Sequence, residues 1–244
     1  MNKKFLILTF LTLVSIAIVV PFRAIGDDVP KKGEKAYVKK KSEKGILVEE
    51  GWMLDGVKTG FWKFYHENGK LKNEGNFVNN ELQDWWKEYD EEGNLITEGF
   101  FVNGKKEAHW KYYYHNGNLM KDGIFDNNKK QGWWKEYSDD GTLMSIGQYE
   151  DGKREGFWRM FCLNGNIRAE GNYSADKKFD WWKEYDSVGN LIAEGYYYDN
   201  LYEGFWIHYK NGVKYSCGIY EQGARKYTWK FFDERGELSQ VYEY

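Results

Sequence analysis

From Tyr37 onward, aromatic and apolar residues alternate with Lys, Glu and Asn in short runs that are broken by Gly, Asn and Asp. That is the period-two pattern of half-buried β-strands, and no stretch of it carries the 3.6-residue period of a helix. The pattern also repeats. Trp62, Trp86, Trp110, Trp134, Trp158, Trp182 and Trp206 are each separated by 24 residues, and Trp229 follows after 23. Two glycine columns travel with them, one running from Gly69 to Gly236 and one from Gly75 to Gly218. A worn copy precedes them, with Gly45 and Gly51 in the glycine columns and Val38 where the Trp belongs. A fixed period of this length marks a repeat architecture in which each copy is one supersecondary unit.

The two punctuated spots in each copy read as turns of different kinds. Asp90-Glu91-Glu92-Gly93-Asn94 and Asp233-Glu234-Arg235-Gly236 fit a three-residue hairpin loop with a left-handed Gly. Asn103-Gly104, Asp151-Gly152, Asn79-Asn80 and Asp199-Asn200 fit two-residue turns, which need positive φ. Each copy is therefore two strands and two turns. The predicted fold is all-β: an elongated single-layer antiparallel meander of about eight stacked 24-residue β-hairpins.

A loop at 91–93 places Asp90 opposite Asn94 and Tyr89 opposite Leu95. Carried regularly along the strand, it sets Tyr65 against Leu71, Phe61 against Gly75 and Trp62 against Glu74. In the copy that is one residue short, Asn211-Gly212 makes a two-residue loop and keeps Tyr209 opposite Lys214. On this register one face carries the columns of Tyr65, Leu71 and Phe77, with Phe61 and Trp85 covering the second glycine column. The other face carries the Trp column, with Glu74, Glu98, Asp122, Glu170 and Glu194 as acceptors for the indole N–H groups. A weaker 48-residue alternation is superimposed. Glu88, Glu136 and Glu184 stand in alternate copies where Phe64, Tyr112 and Met160 stand in the others.

The N-terminus has a different character. Lys3 and Lys4 precede an uncharged run from Phe5 to Val20, and Ala24-Ile25-Gly26 presents small residues where a signal peptidase reads. Residues 1–26 are expected to be a signal peptide, with an inner-membrane anchor formed by residues 5–20 as the alternative. Residues 27–36 read as a charged linker and 37–244 as the repeat array. The expected location is extracytoplasmic, periplasmic or secreted. Removing residues 1–26, with Lys3, Lys4 and Arg23 and no acid, takes the net charge from −3 to −6. An acidic array is a poor ligand for nucleic acid.

The repeat resembles the MORN family in its bacterial variant, Gly-x-Trp-x-x-Tyr-x-x-x-Gly-x-Leu-x-x-x-Gly-x-Tyr/Phe. Gly132-Trp133-Trp134-Lys135-Glu136-Tyr137 through Gly147-Gln148-Tyr149 matches it closely. Asp84, Ala108, Asp180 and Tyr227 replace the first Gly, and Tyr242 replaces the last. The resemblance implies a scaffold or partner-binding array, and some such proteins are YwqK-like antitoxins that neutralise a toxin partner.

No phosphate loop, nucleophile elbow or metal-ligand spacing is present. His66, His109, His115 and His208 fall in different columns or distant copies and read as unconnected side chains. The acidic turns at Asp90-Glu91-Glu92 and Asp139-Asp140 read as backbone-capping turns before they read as calcium sites. The chain is thus expected to be no enzyme and to need no cofactor and no metal. Cys162 and Cys217 are expected to stay unpaired within one molecule, about five strands apart. The leading functional reading is a non-enzymatic exported scaffold that binds another protein along its sheet face. Antitoxin or immunity activity and cell-wall glycan binding are the alternatives, and no nucleic acid or specific small molecule is expected. The candidate binding surface is Trp85, Trp133, Trp181, Phe61, Phe157 and Phe205, which could stack on sugar rings or simply hold a single-layer sheet together. The column Trp62, Trp86, Trp110, Trp134, Trp158, Trp182, Trp206 and Trp229 is read as structural.

Overall fold

The computed structural model describes residues 32–244; the expected signal peptide and the first half of the expected linker lie outside the described residues. Eighteen strands form one sheet. It starts with β1 (Lys35–Lys41), β2 (Leu47–Leu54), β3 (Val57–Tyr65) and β4 (Leu71–Val78) and runs to β17 (Ala224–Phe232) and β18 (Leu238–Glu243). Each strand pairs antiparallel with the next in sequence, so the sheet is a meander of nine hairpins, the worn copy being the first.

Both turn readings hold. Asp90 N–H bonds Asn94 O and Gly93 N–H bonds Asp90 O, each at 3.0 Å, the geometry of the three-residue loop. At the other end of the hairpins, Asn79 and Asn80 have φ of 50° and 68°, and Asp199 and Asn200 have 54° and 70°. Positive φ at both central residues is the type I′ turn. The shortened copy also keeps its register, with Tyr209 opposite Lys214.

The strand interiors differ from the regular register. Tyr65 faces Leu71 as expected, but Phe64 faces Asn73, so Lys72 is an extra residue and everything beyond it slips by one. Trp62 consequently faces Gly75, Phe61 faces Asn76 and Lys63 faces Glu74. The bulge recurs in every full copy: Glu88 faces Thr97 while Tyr89 faces Leu95, and His208 faces Ser216 while Tyr209 faces Lys214. A second irregularity sits at the start of the odd strands, where Gly75 faces Trp86 but Asn76 faces Gln83. It turns on a left-handed residue, Gly60, Asp84, Ala108, Gly132, Gly156, Asp180, Gly204 or Tyr227, with φ between 56° and 67°. This conformation accounts for the Gly two residues before the main Trp, and for the strain accepted where Asp, Ala or Tyr replaces it.

With the bulges in place, the two faces separate cleanly. On the indole face the eight Trp of the main column are at most 5% exposed. The indole of Trp158 lies on Gly147 so closely that an added Cβ would sit 2.1 Å from its ring, and seven further glycines meet the next Trp at 2.2–2.6 Å. The aromatic that covers the bare glycine is therefore this Trp, and Phe61 and Trp85 are not. The Phe77 column also belongs to this face: Phe77, Phe101, Phe125, Tyr149, Tyr173, Tyr197 and Tyr220 stand edge-to-face between successive Trp rings. Centroid distances run from 4.9 Å (Tyr220–Trp229) to 6.4 Å (Trp62–Phe77). Over the indoles lie cations, with Lys106 Nζ 4.0 Å from the Trp110 ring and Lys130 and Lys178 4.4 Å from Trp134 and Trp182. Burial pushes the pKa of all three lysines down. Side chains thus supply the covering layer that a second sheet supplies elsewhere.

A 48-residue alternation also runs through the loops. In alternate copies the loop asparagines Asn68, Asn116 and Asn164 reach forward and donate to the carbonyls of Glu91, Asp139 and Ser187, at 2.6–2.7 Å. In the copies they reach, Asp90 and Asp186 accept their own loop amides. The two kinds of loop thus meet as donor and acceptor.

Cys162 opens a hairpin loop just past the strand Lys153–Phe161, and Cys217 is buried on the strand Val213–Glu221. Five strand steps separate them, about 24 Å at the usual inter-strand spacing and far beyond disulfide reach.

The close glycine contact sets an expectation for stability. Gly147→Ala must push the Trp158 ring away and is expected to cost about 1–3 kcal/mol, whereas Ala108→Gly, which relieves a left-handed alanine, is expected to be neutral or stabilising by up to about 1 kcal/mol. Urea unfolding of both variants measures this, and equal effects would contradict the packing described.

Candidate functional site

The opposite, open face is built from residues that the same bulges turn outward. Phe61, Trp85, Trp133, Phe157 and Phe205 stand in one column at 44–61% exposure, with Trp181 half-buried in the same column. The six candidate residues are therefore brought onto one face, and five of them are exposed, Trp85 and Trp133 by more than half. Trp85 packs edge-to-face on Phe100 at 5.8 Å and Trp181 on Tyr196 at 4.9 Å, which fixes the rings upright. Phe157 and Trp181, from successive hairpins, form the walls of a shallow groove, with Gly171 at its base and Arg159, Glu170 and Lys183 along it.

Two polar rows border this aromatic column. On one side a charge ladder crosses the strands: Lys63, Glu74, Lys87, Glu98, Lys111 and Asp122 each face the next, and Arg159, Glu170, Lys183 and Glu194 continue it beyond Ile146. Arg159 bonds Glu170 at 2.8 Å and lies against the Phe157 ring. On the other side Gln83, Glu107, Gln131, Glu155 and Glu203 accept the backbone N–H of the following type I′ turn. This row is tied down by the fold.

The acidic residues of the ladder do not serve the indoles. Seven of the eight indole N–H groups donate to a backbone carbonyl ten residues earlier, as Trp62 does to Trp52 O at 2.9 Å. The exception is Trp86, which bonds the Glu88 carboxylate. Bulging leaves the strand carbonyl beside the ring, so no carboxylate is needed there. The acids accept instead from the Tyr column: Glu74 from Tyr89, Glu98 from Tyr113, Glu170 from Tyr185 and Glu194 from Tyr209, at 2.7–3.0 Å, each Tyr O–H donating. Desolvation, then the hydrogen bond and charge of the carboxylate, push Tyr89, Tyr185 and Tyr209 up to about 12. The sequence follows the bond: where the acid is replaced by Ile146 or Cys217, the partner is Phe161 or Phe232.

The histidines are less isolated than their columns suggest. His115 Nδ1 lies 2.8 Å from Asp90 Oδ2, and with Glu92 the three groups fall within 4.8 Å of one another. Sequence reasoning missed this because it joins loops of adjacent hairpins 25 residues apart. Burial disfavours an ionised Asp90, but the Asn94 amides and His115 outweigh it and hold its pKa down at about 2. Asp90 and Glu92 belong to one loop and His115 to the next, and the Asp90 carboxylate also accepts the turn amides of Glu92 and Asn94. His208 stacks between Trp206 and Trp229 on the indole face, where burial and then Arg225 lower its pKa.

A sealed face, an open aromatic face and one hairpin per 24 residues define a single-layer β-repeat scaffold. Residues 58–79, 86–103, 106–127 and 130–151 match the MORN repeat variant. The hairpins beyond residue 151 keep the same register and the same indole–glycine contacts. No curated protein matches the sequence. Among solved structures, two crystal structures, of TcdB2-TccC3 and of TcdB2-TccC3-Cdc42, align with 81% of this chain at 11% and 13% identity. The chain spans 13% of each of those chains, with TM-scores of 0.23 and 0.21, a likeness too slight to carry an argument.

One copy breaks the Tyr–acid pattern and offers a test. Asp122, a methylene shorter than the glutamates, bonds His109 at 3.1 Å and leaves Oδ1 without a partner. Asp122→Glu is expected to reach the Tyr137 hydroxyl and raise stability by about 1 kcal/mol. Chemical denaturation of the Asp122→Glu and Asp122→Glu/Tyr137→Phe proteins checks it, since the gain should vanish in the double variant.

Proposed function

We propose that this chain is an exported, non-catalytic scaffold that binds an elongated macromolecular partner along its open face, for which a protein is the first reading of the sequence. The observation that carries the reading is the column of outward aromatic rings. The indole face already supplies the packing that a single-layer sheet needs, so Trp85 and Trp133, more than half exposed, are not required for cohesion. Exposed aromatics in a continuous row are what binding surfaces use. Export is supported by Lys3, Lys4, the apolar run to Val20 and Ala24-Ile25-Gly26. The non-catalytic reading is supported by the open face itself, where the charged side chains are engaged in a cross-strand ladder and in tyrosine bonds.

The test compares the wild-type chain with a Trp85→Ala/Trp133→Ala/Trp181→Ala protein in cross-linking capture from the native cell envelope. Material retained by the wild type is expected to be lost with the variant, whose circular dichroism should be unchanged. Retention that is equal for both proteins would contradict the proposed surface.

A further inference from the structure

The two ends of the sheet are unlike each other. Among the described residues β1 pairs only with β2 and β18 only with β17, so each has one row of backbone N–H and C=O groups with no strand beside it. β1, Lys-Ala-Tyr-Val-Lys-Lys-Lys, carries four lysines and no acid. Edge lysines discourage a strand from pairing with its own kind. β18, Leu-Ser-Gln-Val-Tyr-Glu, carries a single charge, and Leu238, Val241, Tyr242 and Tyr244 at this end are 48–57% exposed. An uncovered edge of that composition is a template for another strand.

The side chains at the two edges depart from the repeat in opposite directions. Where an even strand meets the next odd strand inside the array, a Gly faces the main-column Trp, as Gly75 faces Trp86. In β18 the Gly position holds Tyr242, which packs edge-to-face on Phe231 at 5.5 Å. In β1 the Trp position holds Val38. The repeat's smallest residue has become large, and its largest has become small. Neither edge therefore suits a standard hairpin: an indole has no room over Tyr242, and Val38 cannot cover a Gly.

The two edges do suit each other. With β18 of one copy antiparallel to β1 of the next, as neighbours are throughout the sheet, Tyr242 stands opposite Val38 and Tyr244 opposite the buried Ala36, all on the indole face. Large meets small at both positions. β1 has none of the left-handed residues that bulge the later odd strands, so this register continues without a slip. On the open face Glu243 falls opposite Tyr37, with Lys35 and Lys39 as diagonal neighbours within reach of its carboxylate. The symmetric alternatives lack this fit. Pairing β1 with itself opposes lysines to lysines, and pairing β18 with itself about Val241, Tyr242 or Glu243 sets Tyr242 against Gln240, Tyr242 or Tyr244.

We propose that the two edges are the halves of a head-to-tail interface, through which copies of this chain join into one continuous sheet. Such an interface is heterologous, so the copies form an open row unless the sheet curves into a ring. The inference does not depend on what the open face binds.

Size-exclusion chromatography with light scattering tests it on the full chain, in a mild detergent that shields the apolar run at residues 5–20. The mass of the wild type is expected to rise with concentration past two copies. Val38→Trp and Tyr242→Lys should each be monomeric with unchanged circular dichroism. Their equimolar mixture should form a 1:1 dimer and nothing larger, because each chain keeps the edge that the other has lost. Val38→Trp/Tyr242→Gly, which rebuilds the internal Trp–Gly pair across the junction, should associate again. The triple tryptophan variant of the open face should associate as the wild type does. A wild type that stays monomeric at every concentration would overturn the proposal, as would association that survives in both single variants. Dimers of Val38→Trp that disappear with Tyr242→Lys would show β18 pairing with itself, and would overturn it too.

Discussion

The contact on which this architecture depends is an indole ring laid flat against a glycine of the neighbouring strand. A sheet one layer thick has no opposing layer to exclude water from its core side. Here each Trp of the main column closes that side by lying directly on the backbone of the preceding hairpin, at a distance that no Cβ could share. The glycine is the only residue that admits the ring, and the ring hides the glycine backbone. Because the indole comes from one hairpin and the glycine from the one before, every such contact couples two repeats. Edge-to-face Phe and Tyr rings join each Trp to the next, so the couplings run unbroken from Trp62 to Trp229. This is the nearest-neighbour arrangement that lets quasi-one-dimensional arrays grow by repetition.

The same contact explains why the second face is free. The bulges that bring the indole over the glycine also give each odd strand from β3 onward a left-handed residue just before its outward side chain. Once cohesion is assigned to the indole face, the open face is constrained only at its margins, where turn-capping Gln and Glu and the tyrosine-bonded acids hold the hairpins in line. Between these margins the side chain can vary without loss of fold. The chain places Phe, Trp and His109 there, in a column where packing would accept a polar residue.

Much of this is legible in the sequence, and the limits have a physical cause. The 24-residue period, both turn types and the tolerated deletion at Asn211-Gly212 follow from residues that demand particular φ values, and the structure agrees at each of them. The register inside the strands was not legible, because a bulge next to Lys72 needs no special residue and leaves no mark in the composition. That one-residue slip moves Phe77 to the indole face, takes the glycine cover from Phe61 and gives it to Trp86, and replaces a carboxylate by a backbone carbonyl as the usual indole acceptor. The alternation of Glu88, Glu136 and Glu184 was visible, but the forward bonds of Asn68, Asn116 and Asn164 into the next copy, which share its period, are seen only in the structure. The candidate residues Phe61, Trp85, Trp133, Phe157, Trp181 and Phe205 were named from the sequence as one column; that they are exposed, while their neighbours are sealed, needed the three-dimensional structure.

The division of labour between the two faces can be measured at one pair of adjacent residues. Trp133 and Trp134 have the same side chain and neighbouring positions on the strand Lys129–Tyr137, yet they are 52% and 1% exposed. Equilibrium unfolding in urea of Trp134→Ala and Trp133→Ala should give a loss of about 3–5 kcal/mol for the first and no more than about 0.5 kcal/mol for the second. Losses of equal size would show that both faces hold the sheet together, and would contradict the assignment of cohesion to the indole–glycine contact.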